Sequence, residues 1–130
     1  MSKRKTTLTE HQEQVALFKW AHYAQAAMPE LRLLHAMPNG GHRNKITAAK
    51  LKAEGVKPGV PDICLPVARG KYHGLYIELK TRQGKLSSRQ QTWLADLNGQ
   101  GFKALLCWSW TSARQEIEHY LTLTSGKNHE

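Results

Sequence analysis

Apolar positions recur along this chain with two different periods, and the switches between them divide it into elements. In "LTEHQEQVALFKWAHYAQAAMPE", Ala16, Leu17, Trp20, Ala24 and Ala27 recur at helical spacing. Thr9 and Gln12 form a capping box at the start of that helix, and Pro29 is predicted to close it. Glu13 lies on the same stripe, three and four residues before Ala16 and Leu17, so an acid falls on the face that should be buried. "LRLLHAM" predicts a short strand, and "PNGGHRN" supplies turn chemistry tolerant of positive φ. "KITAAKLKAEG" predicts a short basic helix ending at Gly55, followed by the stiff loop "VKPGVP".

The period then changes to two. "DICLPVA" and "GLYIELK" predict two strands, and the short connection "RGKYHG" makes a hairpin the simplest link. Alternation puts Leu75, Ile77 and Leu79 on one face of the second strand and Tyr76, Glu78 and Lys80 on the other. In the first strand Ile63, Leu65 and Val67 oppose Asp62 and Cys64. Both apolar sets can pack inward, which gathers Asp62, Glu78 and Lys80 on the opposite side of the sheet. "LSSRQQTWLADLNGQG" predicts a helix with a second capping box, Ser87 and Gln90, and an apolar stripe of Trp93, Leu94 and Leu97. "FKALLCW" reads as a buried strand, and "SARQEIEHYLTL" as a last helix carrying Ile117, Tyr120 and Leu121 inward. The mixture of strands and helices predicts an α/β fold, with no internal repeat and no low-complexity segment.

The 130 residues form one domain of ordinary size, with a core over about 9–122 and flexible tails at 1–8 and 123–130. Cys64 and Cys107 lie in apolar stretches, outside any CxxC or Cys/His cluster, and are expected to be buried free thiols in a reducing compartment. No apolar run approaches the roughly 20 residues a membrane span needs, and the basic start has no apolar stretch behind it. A cytoplasmic protein of a bacterium or phage-infected cell is the expectation. Nineteen Lys and Arg against ten Asp and Glu give a net charge of +9, which favours a polyanion such as nucleic acid as partner.

Charge turns attention to the polar face of the two strands. Two carboxylates a few ångströms apart repel, and they stay ionised together when a cation sits between them. Oxygen ligands suit Mg²⁺ or Mn²⁺, the cations that also accompany phosphate. A lysine beside them can orient a water or neutralise charge building on a phosphate. These parts suit hydrolysis of a phosphodiester. Spacing by itself is a weak warrant, because Glu-x-Lys is common on solvated strand faces.

"GVPD" at 59–62, "IELK" at 77–80 and "GKLSSRQQTWL" at 84–94 together resemble the PD-(D/E)XK nuclease superfamily. More narrowly they resemble its virus-type replication-repair nuclease branch, the VRR-NUC domain, from about Glu13 to Trp108. The "PNGG" turn and the "KAEGVKPGVPD" lead-in are similar to stand-alone phage and bacterial members. The resemblance implies a restriction-endonuclease-like core, a mixed central sheet flanked by helices. It implies a Mg²⁺- or Mn²⁺-dependent, structure-selective DNA endonuclease, homodimeric and similar to a Holliday-junction resolvase. A flap- or restriction-type nuclease with the same site, and a non-catalytic basic DNA-binding module on the same fold, remain open. It makes Asp62 and Glu78 metal ligands, with the backbone carbonyl of Leu79 and the first-helix acid Glu13 completing the set. Lys80 would be the catalytic lysine, and Gln90 falls at the family's helix glutamine near the site.

Several of these residues also have plain structural readings. Glu13 would favour a helix N-terminus electrostatically, and the capping box accounts for Gln90. The basic and Gly-rich residues Asn39, Gly40, Gly41, Arg43, Lys45 and Lys57 are read as a phosphate track ahead of Asp62. Arg82 and Lys85 extend it, with Lys71 and Arg89, around the active face. The seven histidines are scattered without metal-ligand spacing. Trp93, Trp108 and Trp110 are expected in core or dimer contacts rather than as base-stacking platforms, with Trp110 the one that could be exposed.

Overall fold

The computed structural model describes residues 7–38, 45–82 and 84–125. Helix α1 (Glu10–Ala24) begins where its capping box places it. Thr9 Oγ1 accepts from the Gln12 amide at 3.1 Å, and the Gln12 side chain accepts from the Thr9 amide at 2.9 Å. Its buried face is Glu13, Leu17 and Ala21, and Ala27 lies outside the helix and exposed. The helix ends well before Pro29, which instead opens a 3-10 turn over Pro29–Leu33. The strand expected over "LRLLHAM" therefore shrinks to β1 (His35–Ala36). Leu31 and Leu34 explain this. Both are buried, and residues three apart share a side in a 3-10 turn but oppose each other in a strand.

After α2 (Lys45–Ala53) come β2 (Ile63–Leu65) and β3 (Leu75–Leu79), which form the predicted hairpin with Ile63 opposite Ile77 and Leu65 opposite Leu75. β2 stops before Pro66, which has no amide to donate. Helix α3 (Ser88–Gly99) carries the chain across to β4 (Lys103–Cys107), parallel to β3, and α4 (Trp110–Thr122) follows. A parallel neighbour requires such a crossover. The sheet order is β1-β2-β3-β4, antiparallel except for the last pair. This is the α/β architecture expected, a mixed sheet flanked by helices.

Strand alternation then sorts the two faces. Ile63, Leu65, Leu75, Ile77 and Leu79 join Leu17 and Ala21 of α1 and Ala113, Ile117 and Tyr120 of α4 in one buried cluster. The Tyr120 hydroxyl donates to the Val67 carbonyl at 2.6 Å and ties α4 to the end of β2. Tyr76 and Glu78 point to the other side, where α3 meets the sheet. Cys64 and Cys107 are buried free thiols. Trp110, the tryptophan expected to be exposed, packs half-buried against the core, while Trp108 is 47% exposed. On α3, Leu94 is buried but Trp93 is only half-buried, so the helix does not sink its whole apolar stripe.

Candidate active site

Two backbone hydrogen bonds fix Asp62 at the mouth of the hairpin. Its carbonyl accepts from the Met37 amide at 2.7 Å, and its Oδ2 accepts from the Leu79 amide at 2.9 Å. The side chain of the first strand's acid is thus bound to the backbone of the second, one residue from Glu78. Glu78 is only 2% exposed. Its Oε2 accepts from Gln90 Nε2 at 3.1 Å, while its Oε1 is buried and, among the described residues, receives no hydrogen bond. Burial first, then the charge of Asp62 and a hydrogen bond between the two carboxyls, together push the Glu78 carboxyl up to about 8 against the opposing charge of Lys80.

Gln90 serves both capping box and site. Its Oε1 accepts from the Ser87 amide at 2.9 Å while its Nε2 holds Glu78. The cap fixes the α3 end of that link. Lys80 follows on the same face as Glu78 and is half-buried, and its amide donates to the Cys107 carbonyl at 3.0 Å. A Cβ on Gly84 would stand 3.0 Å from Lys80 Cδ and 3.5 Å from Glu10 Oε2, so the lysine stem and Glu10 meet at that turn.

The loop leading to Asp62 is clamped to the helix that carries Gln90. Gly59 has φ of +95°, and a Cβ there would come within 2.9 Å of Arg89 Cβ and 3.0 Å of Trp93 Cδ1. Gly59→Ala is expected to lower stability by roughly 1–3 kcal/mol from the conformation alone, with the steric contact adding to it. A thermal melt checks the loss; an unchanged melting temperature would show that the loop does not need this approach.

The VRR-NUC domain family model matches residues 4–110. The chain belongs to the VRR-NUC family. A solved structure described as a VRR_NUC domain protein superposes with a TM-score of 0.79 at 28% identity, over 93% of this chain and 94% of that one. No curated protein matches the chain in sequence. Membership makes this VRR-NUC protein a nuclease of the PD-(D/E)XK type, hence a hydrolase, and such nucleases generally depend on a divalent metal ion. The donor set fits one. A buried carboxylate oxygen without a donor among the described residues, beside a second carboxyl that raises its proton affinity, is a place where a bound cation would relieve the repulsion.

The fold of this VRR-NUC protein brings together Asp62, Glu78, Lys80 and Gln90, the four residues read from sequence as candidate catalytic groups. Glu13 is on the buried stripe as read, but its Oε1 accepts from the Trp110 amide at 2.8 Å, at the first turn of α4. It meets an amide that the helix cannot satisfy itself. Among the described residues no three His, Cys, Asp or Glu gather into a group that could hold a metal ion. The first-helix acid that acts on Glu78 is instead Glu10, whose charge adds to the upward push on it. Sequence reading missed Glu10, although its place one helical turn before Glu13 was available as a signal.

Of the basic residues, Lys57, Arg82 and Lys85 are exposed, and Lys45 is the first residue of α2. Asn39, Gly40, Gly41 and Arg43 lie outside the described residues. Lys71 does not extend the active face. It sits in the hairpin connection beside Tyr72, at the opposite end of β2 and β3 from Asp62 and Lys80. Among the described residues, no helix is long and apolar enough to cross a membrane.

Proposed function

We propose that this VRR-NUC protein is a Mg²⁺- or Mn²⁺-dependent DNA endonuclease that cuts branched DNA as a homodimer, in the manner of a Holliday-junction resolvase. The observation that carries the chemistry is the pair Asp62 and Glu78 beside Lys80, with Glu78 Oε1 buried and without a donor among the described residues. In this reading Asp62, Glu78 and the Leu79 carbonyl hold the cation, and Glu13 joins them only by releasing the Trp110 amide. When bound, the cation lowers the pKa of a water and offsets charge on the scissile phosphate.

The chain's own residues do the rest. Gln90 keeps the Glu78 carboxylate in one orientation through Oε2. The Leu79 amide does the same for Asp62 through Oδ2. Lys80 presents an ammonium group on the same face, able to hold the attacking water by hydrogen bond and to stabilise negative charge on the phosphate. The excess of positive charge, +9 over the chain, draws the DNA backbone in. Lys57, Arg82 and Lys85 are exposed near the elements that carry the site and support the track along which phosphates lie.

The dimer rests on surface and symmetry. β4 forms the edge of the sheet, and Trp108, 47% exposed, follows it directly. An exposed aromatic beside a sheet edge is a surface suited to a second copy. Two sites related by a twofold axis match a four-way junction, which has two strands to cut symmetrically. The test is a panel of four-way junction, flap, nicked and linear duplex DNA with Mg²⁺ and Mn²⁺, alongside mass by light scattering. Paired symmetric cuts in the junction by a dimer are the expected result. Preference for flaps or linear duplex would replace the resolvase reading with another nuclease, and binding without cleavage under either metal would leave a DNA-binding module.

A further inference from the structure

A groove of about 670 Å³ runs between α2 and α3, next to the site. That volume is in the range of small-molecule sites, roughly 300–1,000 Å³. Its apolar wall is Leu51, Val56, Pro58 and Trp93. Its basic residues are Lys52, Lys57 and Arg89, against a single acid, Asp96. None of the apolar residues belongs to the buried core cluster. Among the described residues, α2 adds no side chain to that cluster, so Leu51 is left to face the groove.

The wall is built rather than incidental. Gly55, with φ of +97°, ends α2 in a Schellman motif, in which the Gly55 amide bonds to the Lys52 carbonyl at 3.0 Å and the Val56 amide to the Leu51 carbonyl at 2.9 Å. That motif brings Val56 and Leu51 to the same side. On the facing helix, the close approach of Gly59 fixes Trp93 and Arg89. The groove's walls lead to the site along the chain: the loop that forms one wall ends in Asp62, and the helix that forms the other carries Gln90.

We propose that this groove takes an unpaired nucleotide of the substrate, its base against Trp93 and the apolar wall and its phosphates on Lys52, Lys57 and Arg89. The proposal rests on the nuclease reading for its ligand, and it names what that reading leaves open, the feature by which one DNA structure is preferred to another. A fully paired duplex offers phosphates to the basic residues but no free base to the wall. Single-stranded segments combine both, and stacking on an aromatic side chain is tolerant of sequence. Charge decides against an apolar peptide as occupant, since three cations surround the wall with one acid to balance them.

The test uses Asp62→Asn protein, so that binding is read without cutting. Its affinities are compared for a labelled short oligothymidylate and for a blunt duplex with the same number of phosphates. Adding Trp93→Ala or the uncharged polar change Val56→Asn is expected to weaken oligothymidylate binding roughly tenfold, the size of one lost stack, with duplex binding changed less than about twofold. Trp93→Phe, which keeps a ring, should retain most of the affinity. Val56→Asn stands outside the core, adds no charge, and keeps the experiment decisive if Trp93→Ala fails to fold. Equal losses for both ligands, or none for either, would overturn the proposal. So would a drop in oligomer mass with Val56→Asn, which would give the groove to a second copy of the chain. Failure of the nuclease reading shows elsewhere, as absence of cleavage by the unmutated protein.

Discussion

Lys80→Ala is expected to lower the rate of DNA cleavage by about 10³-fold while leaving DNA affinity and fold nearly intact. The backbone of Lys80 continues the β3–β4 ladder through its amide, and that bond to the Cys107 carbonyl does not involve the side chain. The half-buried stem contributes some packing at the Gly84 turn, so a small stability loss accompanies the change. The ammonium group is different in kind. It acts on Glu78 and opposes the upward shift of that carboxyl. Removing a charged donor aimed at developing charge typically reduces rate by about 10²–10³-fold. Lys80→Arg should restore little, because a planar guanidinium does not occupy the place of a compact ammonium. Asp62→Asn provides a matched control, since asparagine keeps an oxygen to accept the Leu79 amide and loses only the charge. Single-turnover cleavage at saturating metal, with binding measured separately, checks both. Wild-type rates from Lys80→Ala would remove the mechanistic assignment.

The residues in that prediction were legible because strand geometry has a period of two. Once Leu75, Ile77 and Leu79 are given to the core, Glu78 and Lys80 must share the other face, and Asp62 follows from the paired strand. Both capping boxes were legible for a similar reason, since each closes within four residues. What failed was whatever depends on distant segments. Glu13 could be placed on a buried stripe, but its partner, the Trp110 amide, is 97 residues away. The 3-10 turn over Pro29–Leu33 competes with a strand for the same apolar letters, and only the burial of both Leu31 and Leu34 decides it. Trp93 shares a stripe with Leu94 and Leu97, which sequence cannot distinguish from core. Half of it stays open because α2 stands across from it without closing on it. Gln90 shows the limit differently: its local pattern was fully explained by the cap, yet its second nitrogen-borne bond reaches the site.

Without divalent metal, the protein should lose stability as pH rises from about 5 to 9, and Glu78→Gln should abolish most of that loss. Glu78 releases its proton at the ordinary 4.5 when unfolded and at about 8 when folded. Between those values the folded state binds more protons than the unfolded one, so stability is full below the lower value and declines until the upper one is passed. For a carboxyl this buried, the difference is on the order of 3–5 kcal/mol, about 10 °C or more in melting temperature. Other groups titrate in the same range, so the quantity to follow is the difference in melting temperature between the wild type and Glu78→Gln at each pH. That difference should widen toward alkaline pH in favour of the glutamine variant, which has no charge to desolvate and is inactive. If the proposed site holds the cation, Mg²⁺ or Mn²⁺ should then restore the wild type at pH 8–9 and leave the variant unmoved, because the cation would take the place of the proton between Asp62 and Glu78. Its apparent affinity should climb with pH until about 8 and then level off, as the competing proton is lost. A difference curve that stays flat with pH would mean that the two carboxyls do not share a proton. A variant stabilised by metal as strongly as the wild type would place the cation elsewhere.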